Sequence, residues 1–259
     1  MVEQNKGMSD LWRRLRFVFM AIVIYRLGTH IPIPGIDPAR LAALFDQNQG
    51  TILEMFNLFS GGALERMSIF ALNVVPYISS AIIMQLFSNS IPYLQELKKD
   101  GQAGRNQITQ YTRYGTVLLA FVQASALAVT LGASGLAYEP GTSFFISAVF
   151  SVVAGTIFLM WLGEQISERG IGNGISIIIA TSILTGIPGA IGQALEQARQ
   201  GDLNILLLLG IGVLAMLVIA VVVFIERGQR RITVNYAQRQ QGRKLMQAQA
   251  SHLPFKVNM

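Results

Sequence analysis

Residue types that commonly carry chemistry are few and widely separated in this chain. The two histidines, His30 and His252, have no spacing typical of metal ligands, and the sequence contains no cysteine. Gly170-Ile-Gly-Asn-Gly174 is the nearest approach to a phosphate-binding loop, but its glycine spacing misses G-x-G-x-x-G and no predicted strand precedes it. We therefore interpret it as a flexible turn. The sequence predicts neither an enzyme nor a cofactor or metal site.

The other residues that could do chemistry are the basic ones near the end of the sequence. Residues 226–259 hold seven lysines and arginines against a single acid, so their net charge of +6 equals that of the whole chain. Ile232, Val234 and Tyr236 alternate with polar residues, which predicts a strand. Residues 240–244 are typical of a turn. The segment could bind phosphates of anionic lipid or nucleic acid, although the residues alone favour a solvated basic loop.

The elements that must position these residues are membrane-spanning helices. The chain is 52% hydrophobic and 13% charged, with a mean hydropathy of +0.47, whereas a soluble domain carries about 25% charged residues. The apolar residues form runs close to the roughly 20 residues that a helix needs to cross a bilayer. We predict an all-α integral membrane protein with about six transmembrane helices. The spans fall at about 16–31, 76–87, 114–131, 144–163, 174–191 and 204–225.

The first two spans are irregular. Residues 17–25 follow three arginines and could belong to a cleaved signal peptide. No small-residue cleavage pattern follows and five more spans do, so we interpret the run as a retained span. Before the second span, Gly61 and Gly62 predict a hinge, and Pro76 is expected to interrupt the helix. The residues between them are too few to cross, which predicts a short half-helix at about 61–72.

The distribution of lysine and arginine predicts the orientation. With the N-terminus inside, sixteen of the 20 basic residues fall in inside segments and three in outside segments, while Arg26 lies within the first span. Cytoplasmic segments of membrane proteins carry such an excess. The even number of spans agrees, so both termini are predicted to be cytoplasmic.

Spans two to six contain no ionisable side chain between their ends. Ion-coupled transporters usually hold Asp, Glu or His within the membrane, which argues against a pump or a proton antiporter. A passive pathway lined by aliphatic side chains remains compatible. Val74 and Ile78 are four residues apart, as are Ile175 and Ile179, so each pair shares a helix face, although the pattern alone is that of ordinary packing residues. The alternative function is that of a secondary transporter, which carries a small solute.

Several stretches taken together resemble the SecY family of protein-conducting channels, most closely its proteobacterial members, and the resemblance covers the whole chain in order. The stretches are Ile31–Asp37, Gly61–Leu64, Ser68–Leu72, Pro76–Ser79, Gln110–Gly115, Met160–Ser176, Glu226–Arg231 and Ser251–Asn258. The resemblance implies a passive channel subunit that translocates unfolded secretory polypeptides across the bacterial inner membrane and releases membrane segments sideways into it.

The resemblance also implies roles for individual residues. Matching positions of an aliphatic pore ring are Val74, Ile78, Ile175 and Ile179. The half-helix matches a movable plug that contains Gly61, Gly62, Ala63, Leu64, Met67, Ser68, Phe70 and Leu72. The span after it matches one side of a lateral gate, with Pro76, Ile78, Ile82, Ile83 and Leu86. The basic segment matches a cytosolic loop on which a ribosome or SecA docks through Arg230, Arg231, Arg239, Arg243 and Lys244.

The implied organisation is that of an incomplete channel. Residues 1–193 match its first half, residues 194–225 match span six of its second half, and residues 226–259 match an incomplete cytosolic loop, so the chain is expected to stop before span seven. The implied partners are SecE, SecG, SecA, the ribosome, signal sequences and nascent chains, anionic phospholipid, and a chain that supplies the missing spans. A non-conducting fragment bound to a ribosome is a further alternative. Asn73 departs from the family, which commonly has glycine there, and Gln238 and Lys244 stand where lysine and arginine are common.

Overall fold

The computed structural model describes residues 2–47, 57, 60–139, 141–200, 205–234, 240–241, 244–245 and 251–256, which are mainly helical. The helices are α1 (Val2–Gly28), α2 (Pro38–Gln47), α3 (Val75–Ser90), α4 (Pro92–Lys99), α5 (Gln102–Ala133), α6 (Thr142–Arg169), α7 (Gly174–Gln200) and α8 (Ile205–Glu226). The strands are β1 (Gln229–Val234), β2 (Gln240–Gln241), β3 (Lys244–Leu245) and β4 (Ser251–Lys256). Two compact units divide the chain, Met1–Gly189 and Ala190–Met259.

Four of the described helices are long and apolar enough to cross a membrane, namely α5, α6, α7 and, from Leu206, α8. The two other predicted spans correspond to α1 and α3. Helix α1 has 27 residues but includes several arginines. Helix α3 has 16 residues and is about 24 Å long, less than the roughly 30 Å of a hydrocarbon core. Pro76 begins this helix rather than interrupting one, because a proline in the first turn has no helical hydrogen bond to lose.

Residues 61–74, here called the closing segment, differ from the predicted half-helix. They form consecutive turns instead of a continuous helix. Gly61, Gly62, Met67 and Asn73 all have positive φ, between 41° and 79°, and a right-handed helix excludes that conformation. The segment also pairs with the chain after α1, since Ile33 N–H donates to the Met67 carbonyl at 2.8 Å. This pairing gives the Met67 carbonyl a partner outside the segment, while the Met67 N–H donates to the Leu64 carbonyl in a tight turn at 3.0 Å.

Small residues set the helix packing within the first unit. Ala120, Ala124 and Ala128 are buried at intervals of four on α5, and α5 packs against α6 and α3. Where α6 turns into α7 the backbones come close locally, since a Cβ on Gly174 would lie 1.9 Å from the Gly163 carbonyl oxygen. A glycine is therefore required where the Met160–Ser176 stretch turns from one helix into the next.

The second unit contains the basic segment that follows α8. Strand β1 pairs antiparallel with β4, with Gln229 opposite Lys256 and Val234 opposite Ser251. Strands β2 and β3 form a second antiparallel pair around the predicted turn. The strand predicted from Ile232, Val234 and Tyr236 is confirmed for residues 229–234, while Tyr236 lies outside the described residues. Its partner β4 is not predicted from the sequence, because Pro254 interrupts the strand signal.

Candidate functional site

The four residues of the predicted ring lie in one apolar cluster, here called the central cluster. Its buried members are Ala21, Tyr25, Ala63, Phe70, Val74, Leu159, Leu162, Ile166 and Ile178. Val74 is 2% exposed. Ile78, Ile175 and Ile179 are partly buried and pack against the cluster. The structure therefore brings together two pairs of residues that are about 100 positions apart in the sequence.

Local geometry explains how each pair is presented. Val74 is the N-cap residue of α3, and the Ile78 N–H donates to its carbonyl at 3.0 Å, so both lie within the first turn. Helix α7 begins at Gly174, where the Asn173 carboxamide oxygen accepts from the Ile175 N–H at 3.0 Å. Ile175 and Ile179 follow one turn apart. Each pair thus lies at a helix N-terminus and not in the middle of a span.

The closing segment is buried against the same cluster. Of the predicted plug residues, Ala63 and Phe70 belong to the central cluster, whereas Met67 lies in a second apolar cluster with Ala71 and residues of α5 and α6. Leu64 and Leu72 are partly buried against that second cluster. Ser68 is fully buried, and its hydroxyl accepts from the Phe70 N–H at 3.1 Å. The segment therefore links the two apolar clusters of this unit.

Phe70 is the one aromatic residue of the closing segment, and it is buried. Its ring stacks between Tyr25 of α1 and Phe158 of α6, with centroid distances of 6.1 and 5.9 Å. Gly28 and Gly155 leave room for it, because a Cβ would lie 2.0 Å from a ring carbon at Gly28 and 3.1 Å from one at Gly155. The sequence reasoning missed Tyr25, Gly28 and Gly155, since their partners are 40 or more positions away.

Polar contacts tie both ends of the segment to the surrounding helices. At the first end, the Arg26 guanidinium donates to the Gly61 carbonyl at 2.9 Å. At the other end, the Asn73 carboxamide donates to the Ser182 hydroxyl of α7 at 3.1 Å. Tyr25 also contacts that hydroxyl, with 2.6 Å between the two oxygens. Arg26, which the sequence places inside a span, thus binds backbone in a partly buried site.

A pocket of about 470 Å³ lies between the closing segment and α5. Its lining is mostly apolar, with Leu64, Leu72 and Leu127, and the carboxamide residues Asn73 and Gln123 contribute polar atoms. The closing segment therefore packs against α1, α6 and α7, and this pocket leaves part of its contact with α5 open.

The predicted gate residues divide into two groups. Pro76 is buried and Ile78 is partly buried near the central cluster, whereas Ile82, Ile83 and Leu86 are exposed along α3. The opposite face of α3 packs on α5, where Ser80 donates to the Thr112 carbonyl at 2.7 Å. A Cβ on Gly115 would lie 2.5 Å from the Ser80 hydroxyl oxygen. Helix α3 thus keeps one face packed and presents an apolar face outward.

The predicted docking residues are only partly described. Arg230 is exposed on β1, opposite Phe255 of β4, and Arg231 is opposite Pro254. Lys244 lies on β3 opposite Gln241. Arg239 and Arg243 lie outside the described residues. The structure thus describes three of the five predicted docking positions, two on β1 and one on β3.

Three ion pairs lie near the helix ends that are predicted to be cytoplasmic, one between Arg113 and Glu164 and two from Asp10 to Arg13 and Arg14. Arg113 of α5 donates to the Glu164 carboxylate of α6 at 2.7 Å. Near the start of α1, a hydrogen bond from Arg14 holds the pKa of Asp10 below its ordinary value. Among the described residues, no group of three His, Asp or Glu side chains could hold a metal ion.

Comparisons with known proteins agree with this architecture. The SecY family model matches residues 68–259. Protein translocase subunit SecY of Pseudomonas aeruginosa is 63% identical over 255 residues, which cover 98% of this chain and 58% of that protein. Protein translocase subunit SecY of Escherichia coli K12 is 58% identical over 257 residues, with the same coverage. The chain thus spans about three fifths of the length of these curated relatives.

Solved structures share the fold at lower sequence identity. A protein-conducting channel superimposes with a TM-score of 0.62 at 21% identity, over 95% of this chain and 53% of that chain. A SecY structure, whose plug domain is described as stabilising the closed state and maintaining a membrane seal, superimposes with a TM-score of 0.61 at 22% identity. The match covers 95% of this chain and 52% of that chain. Sec61 from a canine ribosome–channel complex superimposes with a TM-score of 0.60 at 21% identity, over 86% of this chain and 49% of that chain.

Proposed function

Because the chain belongs to the SecY family, we propose that it forms part of a passive channel that translocates unfolded secretory polypeptides across the bacterial inner membrane and releases membrane segments sideways into lipid. The chain has the SecY-type fold and is embedded in the membrane through apolar helices. The proposal concerns the assembled channel, whose remaining walls would correspond to the part of the curated relatives that this chain does not match.

The central cluster is the single observation that carries the proposal. Val74, Ile78, Ile175 and Ile179 meet there, and the closing segment is buried against them. Flexible aliphatic side chains around a constriction exclude water and ions by dewetting and offer a passing polypeptide no strong binding site. A ring of this kind can therefore hold back ions while it yields to an extended chain, without any chemical step.

Movement of the closing segment would open the pathway. Two backbone hydrogen bonds join the segment to the chain after α1, from Ile33 N–H to the Met67 carbonyl and from Ile69 N–H to the Ile31 carbonyl, and these would break when it shifts. The 470 Å³ pocket towards α5 offers room on one side. Residues 61–72 would thus act as the plug, beneath a ring that closes around the translocating chain.

The exposed face of α3 supports the proposed lateral gate. Ile82, Ile83 and Leu86 present aliphatic side chains outward next to the ring residue Ile78. A signal sequence or membrane segment that leaves the pore is itself apolar, so it would bury its surface against this face before it enters lipid. Anionic phospholipid would surround the basic residues at the cytoplasmic helix ends.

The basic segment supports docking of cytosolic partners. Arg230 and Arg231 lie on a paired strand, and guanidinium groups in general suit phosphate and carboxylate partners. We infer that a ribosome or SecA binds here, and that SecE and SecG complete the channel. The N-terminal residues and the basic segment would both face the cytoplasm, because the excess of lysine and arginine lies on that side.

Transport by the reconstituted channel tests the proposal. The channel is purified through a tag on this chain, with every subunit that copurifies, and is incorporated into liposomes with SecA and ATP. A secretory precursor should become protected from added protease, whereas the same precursor without its signal sequence should stay accessible. Equal protection of the two precursors, or protection of neither, would contradict the proposed function.

A further inference from the structure

Three polar side chains from separate parts of the chain meet inside the central cluster. Tyr25 comes from α1, Asn73 from the end of the closing segment and Ser182 from α7, and all three are at most 4% exposed. The Ser182 hydroxyl lies 2.6 Å from the Tyr25 hydroxyl and 3.1 Å from the Asn73 carboxamide nitrogen. Buried polar groups in apolar surroundings are stable only where they are hydrogen bonded. The three side chains satisfy this condition by bonding to one another.

The hydrogen atoms can be assigned from these contacts. Ser182 donates its one proton to the Ile178 carbonyl at 2.9 Å. Its oxygen then has two lone pairs, which accept from Asn73 and from Tyr25. The Tyr25 hydroxyl has one proton, and its contact with Ser182 is shorter than its 3.3 Å contact with the Ser60 carbonyl. Ser182 is thus saturated by two donors, one of which belongs to the closing segment.

Both ends of the closing segment lie against this one serine. Asn73 donates to it at the far end. At the near end, a Cβ on Gly61 would lie 3.5 Å from the Ser182 Cβ and 3.2 Å from its backbone carbonyl oxygen. Asn73 has a φ of 49°, a conformation that glycine adopts without strain. Glycine would therefore fit the backbone at position 73 with less strain than asparagine does. The presence of asparagine there is explained by the hydrogen bond that its carboxamide donates to Ser182.

We propose that Asn73, Tyr25 and Ser182 form a polar latch that holds the closing segment in its closed position, an inference that rests on the proposed function. Tyr25 and Ser182 belong to helices and hold the acceptor in place. Asn73 joins residues 61–72 to Val74 at the start of α3, so the departure of residues 61–72 rotates its backbone and breaks the Asn73–Ser182 hydrogen bond. Asn73 and Ser182 are positioning residues that set how often the segment leaves its seat in the absence of a translocating chain.

Ion leak through the purified, reconstituted channel tests the latch, with precursor translocation measured on the same liposomes. Asn73→Gly keeps a backbone that tolerates positive φ and removes the donor. It should raise the leak about threefold to tenfold, the shift expected from one lost hydrogen bond. Ser182→Ala removes the acceptor that Asn73 and Tyr25 share, so it should raise the leak at least as much as Asn73→Gly does. Adding Asn73→Gly to Ser182→Ala should then raise the leak little further, because the same hydrogen bond is already lost.

Thr185→Val is the matched control. It removes a hydroxyl one turn from Ser182 that donates to the Thr181 carbonyl of its own helix at 2.6 Å, and it should leave the leak unchanged. An unchanged leak in Asn73→Gly, or independent additive effects of the two substitutions, would overturn the latch while translocation by the unaltered channel still supports the proposed function. Failure of the unaltered channel to translocate would instead overturn the proposed function and the latch with it.

Discussion

Gly28 at the end of α1 lies directly against the Phe70 ring, so close that a Cβ on the glycine would be 2.0 Å from the ring's Cε2 atom. Phe70 is 3% exposed and belongs to the closing segment. The glycine therefore forms part of the seat in which the closing segment rests, and its missing side chain is what lets the aromatic ring enter the central cluster.

Gly28→Ala should displace Phe70 and loosen the closing segment. Overfilling a packed site costs about 1–3 kcal/mol, so the variant should have a lower melting temperature in detergent and a raised ion leak in liposomes. Gly132→Ala in α5 is the control, because a Cβ there would meet no atom within 4 Å. A variant at position 28 that behaves like the one at position 132 would refute the packing assigned to Phe70.

Replacing Ile78 and Ile179 with glycine should widen the aliphatic ring. Both side chains pack against the central cluster, and their loss removes the apolar surface that keeps water out. We expect a large increase in ion conductance of the reconstituted channel. The control is Ile183→Gly with Ile187→Gly, two exposed isoleucines four apart on α7, which carries the same loss of helix propensity. An equal leak in both double variants would argue against a ring at these positions.

The Arg113–Glu164 pair should stabilise the contact between α5 and α6. The Nε–Oε1 distance is 2.7 Å, but the arginine side chain is 40% exposed, so the expected loss on Arg113→Gln is no more than about 1 kcal/mol. Thermal unfolding in detergent measures it. Arg105→Gln, an exposed arginine of the same helix, should change the melting temperature less. A double-mutant cycle with Glu164→Gln that gives no coupling would show that the pair contributes nothing.

Arg230→Glu should weaken ribosome binding in a salt-dependent manner. Arg230 is exposed on β1, and contacts between basic side chains and phosphates release counterions. Cosedimentation with ribosomes over a range of salt concentrations should give a lower affinity and a shallower salt dependence. Arg199→Glu carries the same charge change on the segment predicted to face outward, and binding should be unaffected. Equal losses in the two variants would remove Arg230 from the docking surface.

Much of the fold can be predicted from the sequence because bilayer crossing imposes long apolar runs. The helices α5, α6, α7 and α8 follow from such runs. The pore-ring role of Val74, Ile78, Ile175 and Ile179 comes from a family resemblance and stays a prediction, although all four residues lie in or against the central cluster. Strand β1 follows from simple alternation of apolar and polar residues.

The closing segment could not be predicted in the same way. Its composition is that of a short helix, but Met67 and Asn73 adopt positive φ, which non-glycine residues rarely do and which no local pattern indicates. Tertiary contacts decide the conformation, since Met67 pairs with the chain at Ile33 and Asn73 binds Ser182. Tyr25 and Ser182 are 157 positions apart, so their contact has no signature in sequence spacing. The docking role of Arg239 and Arg243 stays a prediction, because both lie outside the described residues.

A reversible disulfide between the closing segment and α7 tests the central claim, that the segment must leave its seat before a polypeptide can pass. A Cβ on Gly61 would lie 3.5 Å from the Ser182 Cβ, within the range of disulfides, and the sequence contains no cysteine to compete. Channels with Gly61→Cys and Ser182→Cys are oxidised, reconstituted and assayed for precursor translocation before and after reduction, so that any effect of the substitutions themselves cancels. Single-cysteine channels serve as controls.

The account predicts that the oxidised double variant forms the disulfide and does not translocate, and that reduction restores translocation while neither single variant responds. Undiminished translocation with the disulfide intact, or failure of the two cysteines to join, would contradict it.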